Sequence, residues 1–308
     1  MVKMSSNIAT NSIKKRKWRF NSEMRYQIVL IVLMGIISIT CLFPLIYVIG
    51  MSFTSDAELV ENNYFVILPM KPVISAYKFV LTQDLFLNSF LISVARTVCS
   101  TILSSLSCLC VGFVLSEAKL PFRREMMIFI IITMLIGGGL IPAYLWYSDL
   151  GLLNSFAVLT VPAIVNVYST LVIKVFIEGL PKELMESADM DGAGPIKKMI
   201  HIVFPLTLPA LAATSLFVAV GQWNSWFDAM VYITKDKSLY PMALIVRNLL
   251  TSGASDGMGG GSYDPSMQST PTSIKMASVV ISMIPILIVY PLLQKYFVFG
   301  VFTGAVKE

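Results

Sequence analysis

Residues 178–211 read EGLPKELMESADMDGAGPIKKMIHIVFPLTLPAL, and this stretch is the most informative part of the chain. It sets a polar segment between two long apolar runs. Acidic side chains gather in residues 183–191, glycine and proline follow in 192–195, and the apolar sequence resumes at 204. A connection between apolar segments needs no such charged insert with its own helix signals. The insert therefore predicts a surface that another protein contacts.

The rest of the chain has the composition of a membrane protein. Hydrophobic residues make up 56% of it and charged residues 13%, whereas soluble domains carry about 25% charged residues. A bilayer is crossed by about 20 apolar residues in helical form, because backbone groups in hydrocarbon must bond to each other. The sequence thus predicts an all-α transmembrane fold with six spanning helices, at 27–50, 86–115, 126–147, 156–177, 204–232 and 275–294.

Basic residues predict the orientation, since cytoplasmic loops are rich in Lys and Arg. They concentrate in the N-terminal tail (1–26), the loop 116–125 and the polar insert, whereas the loops 51–85 and 148–155 hold only Lys71 and Lys78. We expect a basic cytoplasmic tail at 1–26, a membrane domain at 27–294 and a cytoplasmic C-terminal tail at 295–308. The basic N-terminal run lies where an orientation signal belongs, so we expect no nucleic-acid binding.

Local signals divide the insert into two helices joined by a bend. Pro181 suits the first turn of a helix, and Gly192 suits a helix end in the left-handed conformation. Gly194 and Pro195 then begin a second helix, which leads into the membrane at Phe204 and Pro205. The expected apolar faces comprise Leu184, Met185 and Ala188 on the first helix and Ile196, Met199, Ile200 and Val203 on the second.

The first of these helices is acidic, with one lysine against Glu183, Glu186, Asp189 and Asp191. Helices that lie on a membrane surface usually carry Lys and Arg on the polar face, since anionic lipid repels acids. An ordinary interfacial loop is the alternative, but an acidic helix fits a basic cleft on a protein partner better.

These residues resemble a known motif. Glu186-Ser187-Ala188, three residues, Gly192, nine residues, then Ile202-Val203-Phe204-Pro205 is similar to the EAA motif of permease subunits of ATP-binding-cassette importers, usually E-A-A-x3-G-x9-I-x-L-P. Ser187 and Phe204 depart mildly from it. The whole chain resembles the maltose-G-like and LplC-like group of carbohydrate permeases, and residues 300–307 are similar to that group's G-x-T-x-G-x-V-K ending.

The resemblance implies a fold, partners and residue roles. The fold would be the six-helix type I importer permease fold in a bacterial cell membrane, with both termini in the cytoplasm. The partners would be a second homologous permease, a dimeric cytoplasmic ATPase that holds ATP and Mg²⁺, an extracytoplasmic solute-binding protein and a sugar, with lipid around them. The ATPase-coupling residues would be Glu186, Ser187, Ala188, Asp189, Asp191, Gly192, Ile202 and Pro205.

The loop 233–274 is expected on the outer side. Its stretch 252–273, SGASDGMGGGSYDPSMQSTPTS, is rich in Gly and Ser, which predicts a flexible chain. It is either a solvated linker or, as the resemblance implies, a finger that contacts the binding protein. The candidate contact residues are Gly257, Gly259, Gly260 and Tyr263.

Polar groups at membrane depth are candidates for function because they are costly there. Arg96 either extends its head outward to water, pairs with a residue such as Asp228, or lies on the solute path. Lys174 is expected to extend toward water. The candidate path residues are Arg96, Gln222, Trp223, Asn224, Trp226 and Asp228; their tryptophans are alternatively membrane-interface anchors. Gly137–Gly139 either loosen the third helix or allow close packing, and we expect packing.

The sequence favours a sugar-importer permease over other classes. It has no G-x-x-x-x-G-K-[ST] phosphate loop, so ATP hydrolysis would belong to a partner, and no H-E-x-x-H or G-x-S-x-G motif of an intramembrane enzyme. His201 and the four cysteines stand without company suited to a metal site. The alternatives left open are an importer of a non-sugar solute, a standalone transporter or channel, and an intramembrane enzyme.

Overall fold

The computed structural model describes residues 23–251 and 271–305, and every regular element in these ranges is helical. The chain divides into two units, residues 1–47 and 48–308. The helices are α1 Glu23–Ser52, α2 Asp56–Glu61, α3 Ser75–Leu81, α4 Asp84–Ser116, α5 Arg123–Leu135, α6 Leu140–Asp149, α7 Phe156–Thr160, α8 Val167–Glu178, α9 Lys182–Met190, α10 Pro195–Lys198, α11 Phe204–Asn224, α12 Phe227–Tyr232, α13 Met242–Thr251 and α14 Pro271–Ala305.

The membrane prediction is confirmed in its class and refined in its details. Among the described residues, five stretches are long and apolar enough to cross a bilayer: Met24–Ser52, Asp84–Ser116, Phe156–Glu178, Pro195–Asn224 and Pro271–Pro291. The bent pair α5 and α6 makes a sixth if it counts as one span. The all-α transmembrane fold follows, with six spans on that count.

The third predicted span, 126–147, is not one straight helix. Its two halves, α5 and α6, meet at an angle of 111°. Gly139 has a φ of +85° there, which a residue with a side chain adopts only with strain. No described heavy atom lies within 4 Å of a Cβ built on Gly137 or Gly138. Within the described chain the glycines therefore interrupt the helix, and no close packing on Gly137 or Gly138 occurs there.

The fifth predicted span, 204–232, also ends early. Helix α11 stops at Asn224 because Ser225 is extended, with φ −75° and ψ 123°. The separate short helix α12 follows. Beyond it, the predicted outer loop contains α13, whose Met242, Ile245 and Leu249 are almost fully buried. The first half of that loop is therefore part of the core, since an amphipathic segment can bury an apolar face without crossing the membrane.

Helix α14 continues to Ala305, past the predicted start of a tail at 295. The predicted binding-protein contacts Gly257, Gly259, Gly260 and Tyr263 lie outside the described residues, as do 1–22, 252–270 and 306–308. The domain boundaries stay predictions.

Helix α4 is the centre of residues 48–305, because it packs along both α8 and α11. Small residues line its inner face, as close helix approach in membranes requires. At Gly112 a Cβ would stand 3.1 Å from Ile173 Cγ2 and 3.2 Å from Lys174 N of α8. We call the end of the bundle with α9 the insert end, and the end with α12 and α13 the far end.

Gly50, near the end of α1, supplies a stability test. A Cβ on Gly50 would overlap the backbone carbonyl of Ile67, which cannot move aside as a side chain can. We expect Gly50→Ala to lower the free energy of unfolding by about 1–3 kcal/mol, the usual cost of overpacking. The measurement is the thermal unfolding midpoint of the detergent-solubilised protein.

The matched control is Gly35→Ala in the same helix, where no described heavy atom lies within 4 Å of the added methyl group. Alanine is favoured over glycine inside a helix, so this variant should unfold no earlier than the original chain. Equal losses in the two variants would contradict the clash at Ile67.

Candidate functional site

Helix α9 rests on the insert end of the bundle through part of its apolar face. Met185 packs against a buried cluster that joins α4, α8 and α11, with Cys108, Ile173 and Leu211 among its members. Ala188 is 7% exposed. Leu184, which was expected to share this face, is instead 43% exposed. The predicted patch is thus divided, with Met185 and Ala188 facing the bundle and Leu184 left uncovered.

The bend after α9 is the one that the sequence predicts. Gly192 has a φ of +72°, the left-handed conformation. The Ala193 N–H donates to the Ala188 carbonyl at 2.9 Å and the Gly192 N–H to the Asp189 carbonyl at 3.0 Å. This is the Schellman pattern, which satisfies the last carbonyls of a helix. Pro181, expected as the first helical residue, is the N-cap instead, with Lys182 first.

The second predicted helix is not a separate surface helix. Helix α10 continues through a wide turn, Met199–Val203, directly into α11. In that turn the Phe204 N–H donates to the Met199 carbonyl, five residues back. The wide turn precedes Pro205, whose ring would otherwise press on the carbonyl four residues earlier. Its expected apolar face is also divided, because Val203 is buried while Ile196 is 71% and Ile200 51% exposed.

The coupling-motif residues that were predicted from sequence are exposed only in part, because Ala188 is buried. Glu186, Ser187 and Asp191 are exposed, and Glu186 forms no ion pair with any described residue. Asp189 is held by Lys198 at 2.7 Å, which ties α9 to the helix that follows it. Ile202 is half-buried and Pro205 is exposed. We call the exposed surface of residues 183–200 the acidic knob.

Beside the acidic knob lies a cavity of about 490 Å³ between α9 and the loop 116–123. Its lining combines apolar groups with charges of both signs, including Lys119, Lys182 and Glu186. Arg123 crosses its edge, donating to the Glu178 carboxylate and, at 2.8 Å, to the Leu115 carbonyl. Glu178 also pairs with Lys174 at 2.8 Å. Lys174 therefore finds a partner one turn away rather than extending to water alone.

Arg96 forms the second site, inside the bundle near the far end. Its side chain is 1% exposed, so the expectation that it extends to water is wrong and its predicted pairing with Asp228 is confirmed. Its Nε donates to Gln222 Oε1 at 2.9 Å. Its Nη1 donates to the Ser225 carbonyl at 3.2 Å and to Asp228 Oδ1 at 3.3 Å, and its Nη2 donates to Asp228 Oδ2. Ser225 Oγ also donates to Asp228 Oδ1 at 2.9 Å. The guanidinium thereby holds the break between α11 and α12.

The other predicted path residues have different surroundings. Trp223 is 6% exposed, and its indole N–H donates to the Ser282 carbonyl at 3.0 Å. Asn224 is exposed and donates to the Val220 carbonyl at 2.9 Å. Trp226 is half-buried beneath the guanidinium of Arg247, whose carbon lies 4.1 Å from the ring centroid. Arg96, Gln222, Trp223 and Asp228 thus have local partners, and Asn224 and Trp226 remain accessible.

Sequence reasoning missed three contributors at this end. Ser225 lies inside the predicted span 204–232 and Arg247 inside the predicted loop 233–274, so neither was a candidate site residue. Asn154, with a φ of +57°, accepts from the Thr234 and Lys235 N–H groups at 2.7 and 2.8 Å. The extended residue at the helix break and the left-handed asparagine are properties of the folded chain. Among the described residues, no group of three or more His, Cys, Asp or Glu side chains is placed to hold a metal ion.

Comparison with known proteins assigns this architecture to a family. Residues 23–303 match the model of the binding-protein-dependent transport system inner membrane component. The chain belongs to that family. It is accordingly a multi-pass membrane permease of the binding-protein-dependent class.

Individual relatives agree with this assignment. The permease is 35% identical over 272 residues to the polygalacturonan/rhamnogalacturonan transport system permease protein YtcP of Bacillus subtilis strain 168, covering 88% of this chain and 94% of that one. It is 34% identical over 279 residues to protein LplC of the same organism, covering 90% and 93%. A crystal structure of a bacterial ABC transporter involved in import of the acidic polysaccharide alginate matches with a TM-score of 0.81 and 28% identity, over 90% of this chain and 98% of that chain.

The Arg96 network predicts an asymmetry between its two partners. Asp228→Ala leaves the 1% exposed guanidinium without its counter-charge, whereas Arg96→Met leaves a carboxylate whose side chain is 26% exposed and can meet water. We expect Asp228→Ala to cost about 3 kcal/mol of unfolding free energy, the order found when a buried pair loses one partner, and Arg96→Met to cost less. Thermal unfolding of the solubilised permease, with Asp189→Asn at an exposed pair as control, measures both. Similar losses of unfolding free energy in all three variants would contradict the prediction that the buried guanidinium needs Asp228 as its counter-charge.

The bend at Gly192 predicts a contrast between two nearby glycines. Gly192→Ala places a side chain at a φ of +72° and should cost about 1–2 kcal/mol, because left-handed alanine is strained. Gly194→Ala is the control, since Gly194 has a φ of −65° and no described heavy atom within 4 Å of the added methyl group. The local opening of α9, followed by hydrogen exchange, should increase only in the first variant. Equal exchange in both variants would mean that the left-handed residue does not hold α9 closed.

Proposed function

We propose that this permease forms half of the membrane path of an ATP-driven importer of oligosaccharides. The support comes from its relatives: one is named for polygalacturonan and rhamnogalacturonan transport, and one solved transporter imports alginate. Family membership itself rests on the match over residues 23–303. An importer of a non-sugar solute is the alternative.

The acidic knob is the proposed contact with a dimeric cytoplasmic ATPase. It combines exposed acids with uncovered apolar side chains, notably Leu184, Met190 and Ile196, which are 43%, 88% and 71% exposed. Exposed apolar groups among charges are typical of a surface that a partner covers. The ATPase presents a basic cleft, and Glu186, without an ion pair among the described residues, meets a cation there. ATP and Mg²⁺ are held by that ATPase and not by this chain.

The acidic knob is connected to the membrane helices by packing contacts of α9, by the turn at Gly192 and by one ion pair. Met185 and Ala188 hold α9 on the cluster of α4, α8 and α11. The Schellman turn and the Asp189–Lys198 ion pair fix α9 to the helix that becomes α11. A displacement of α9 by the ATPase therefore tilts α11, and the ATPase biases the permease between two conformations by binding them unequally.

This assignment sets the orientation and the remaining partners. The insert end faces the cytoplasm with both termini, and the far end faces the extracytoplasmic solute-binding protein. A second, homologous permease supplies the other half of the path. The coupling residues are Glu186, Ser187, Ala188, Asp189, Asp191, Gly192, Ile202 and Pro205, with Ala188 and Gly192 shaping the acidic knob rather than contacting the ATPase.

Charge reversal at Glu186 tests the ATPase contact. We expect Glu186→Lys to abolish ATP-driven uptake, because it sets two cations against each other, and to leave membrane insertion unchanged because Glu186 is exposed and unpaired within the described chain. Co-purification of the tagged permease with the ATPase should fall in parallel. Uptake by the assembled complex in proteoliposomes measures the loss.

The matched control is Glu125→Lys, an equal charge change at an exposed residue of α5 outside the acidic knob. It should retain most of the uptake, since Glu125 lies outside both the motif and the proposed contact surface. Normal uptake in Glu186→Lys would remove the proposed contact, and uptake by the permease alone, with no ATPase, would refute the importer assignment.

A further inference from the structure

The break between α11 and α12 places a tryptophan and an arginine together at the far end. Trp226 is the N-cap of α12 and follows the extended Ser225. Arg247, on α13, stands over its ring with 4.1 Å between the guanidinium carbon and the ring centroid. Both side chains are partly exposed. The pair therefore lies on an accessible surface and not in the core.

Arg247 keeps its hydrogen-bonding capacity. In residues 23–251 and 271–305, no carboxylate lies within ion-pairing distance of its guanidinium, and none of the hydrogen bonds described there is donated by its side chain. A guanidinium stacked on an aromatic ring still presents its N–H groups outward in a planar fork. That fork matches the two oxygens of a carboxylate. The stacking also reduces the side-chain freedom that binding would otherwise remove.

The acid nearest in sequence to Trp226 is already neutralised. Asp228 is bound by two Arg96 nitrogens and by the Ser225 hydroxyl. The Arg96 pair therefore neutralises a charge that would repel an anion and leaves Arg247 as the available cation beside Trp226.

We propose that Arg247, positioned by Trp226, contacts carboxylates of the transported solute, so that the permease is selective for uronate-containing oligosaccharides. This inference rests on the proposed function as an oligosaccharide importer and narrows its substrate class. A neutral sugar has no group that matches the guanidinium fork. An oligosaccharide made of uronate units carries a carboxylate on every sugar, so each sugar that passes can make the same contact with Arg247.

The test compares acidic and neutral trisaccharides in the same transporter. The assembled complex, with its binding protein and internal ATP, is placed in proteoliposomes and offered trigalacturonate, trimannuronate, their neutral methyl esters, maltotriose and arabinotriose. We expect the original transporter to take up a uronate. Arg247→Gln should lower uronate uptake about tenfold, the order for losing a hydrogen-bonded charge contact, and change uptake of any neutral trisaccharide less than about twofold.

Lys275→Gln is the matched control, because it removes an equal positive charge next to α13. The Nζ of Lys275, on α14, donates to the carbonyl of Leu250, which belongs to α13. It should leave uronate uptake near the original value. Size-exclusion chromatography of each variant complex confirms assembly, so that a loss of uptake reflects recognition.

The outcomes separate this inference from the proposed function. Equal losses for acidic and neutral trisaccharides in Arg247→Gln would assign Arg247 a structural role and overturn the inference. Unchanged uronate uptake in that variant, an equal loss in Lys275→Gln, or an original transporter that takes up only neutral trisaccharides would overturn it as well. An original transporter that moves none of these saccharides would instead refute the oligosaccharide assignment.

Discussion

A guanidinium inside a membrane protein must find its counter-charge within the protein, because hydrocarbon offers none. Arg96 meets this requirement by binding Gln222, the Ser225 carbonyl and Asp228, all of which lie around one helix break. The break would otherwise leave backbone groups unpaired at membrane depth, which costs several kcal/mol per group. One side chain of α4 thus satisfies its own charge and the irregular backbone of α11 and α12. The position of Trp226, and with it the stacking of Arg247, depends on this pairing.

The two ends of the bundle are joined by α4 and α11, which pack against each other along their length. At the insert end, α11 follows, through the wide turn Met199–Val203, the helix that carries Lys198, the partner of Asp189. At the far end, α11 stops where Arg96 of α4 holds it. In the proposed mechanism, a movement at the acidic knob reaches the far end through α11, because charged contacts hold both the segment before it and its far terminus. This connection gives the proposed coupling between ATPase and solute a physical route.

Most of the fold could be predicted from composition and local signals. Apolar runs longer than a bilayer needs are sufficient to place helices, and Gly192 is recognisable because a left-handed helix end strongly favours glycine. The interruptions inside apolar segments were not predictable in the same way. Gly137–Gly139 allow either close packing or a break, and the 111° angle between α5 and α6 decides for the break. Helix α13 was not predicted, because its segment is too short to span a membrane and lies within the predicted outer loop 233–274.

The sequence by itself determined that this chain is an all-helical membrane protein whose residues 186–205 resemble the EAA motif of importer permeases, because hydrophobicity and motif spacing are properties of consecutive residues. Only the tertiary structure decided which charges are available. The sequence leaves the partners of Arg96, Asp228 and Arg247 open, but in the structure the first two neutralise each other across 132 positions of chain, whereas Arg247 stacks on Trp226. That difference arises from distances between helices, which no local pattern of residues encodes.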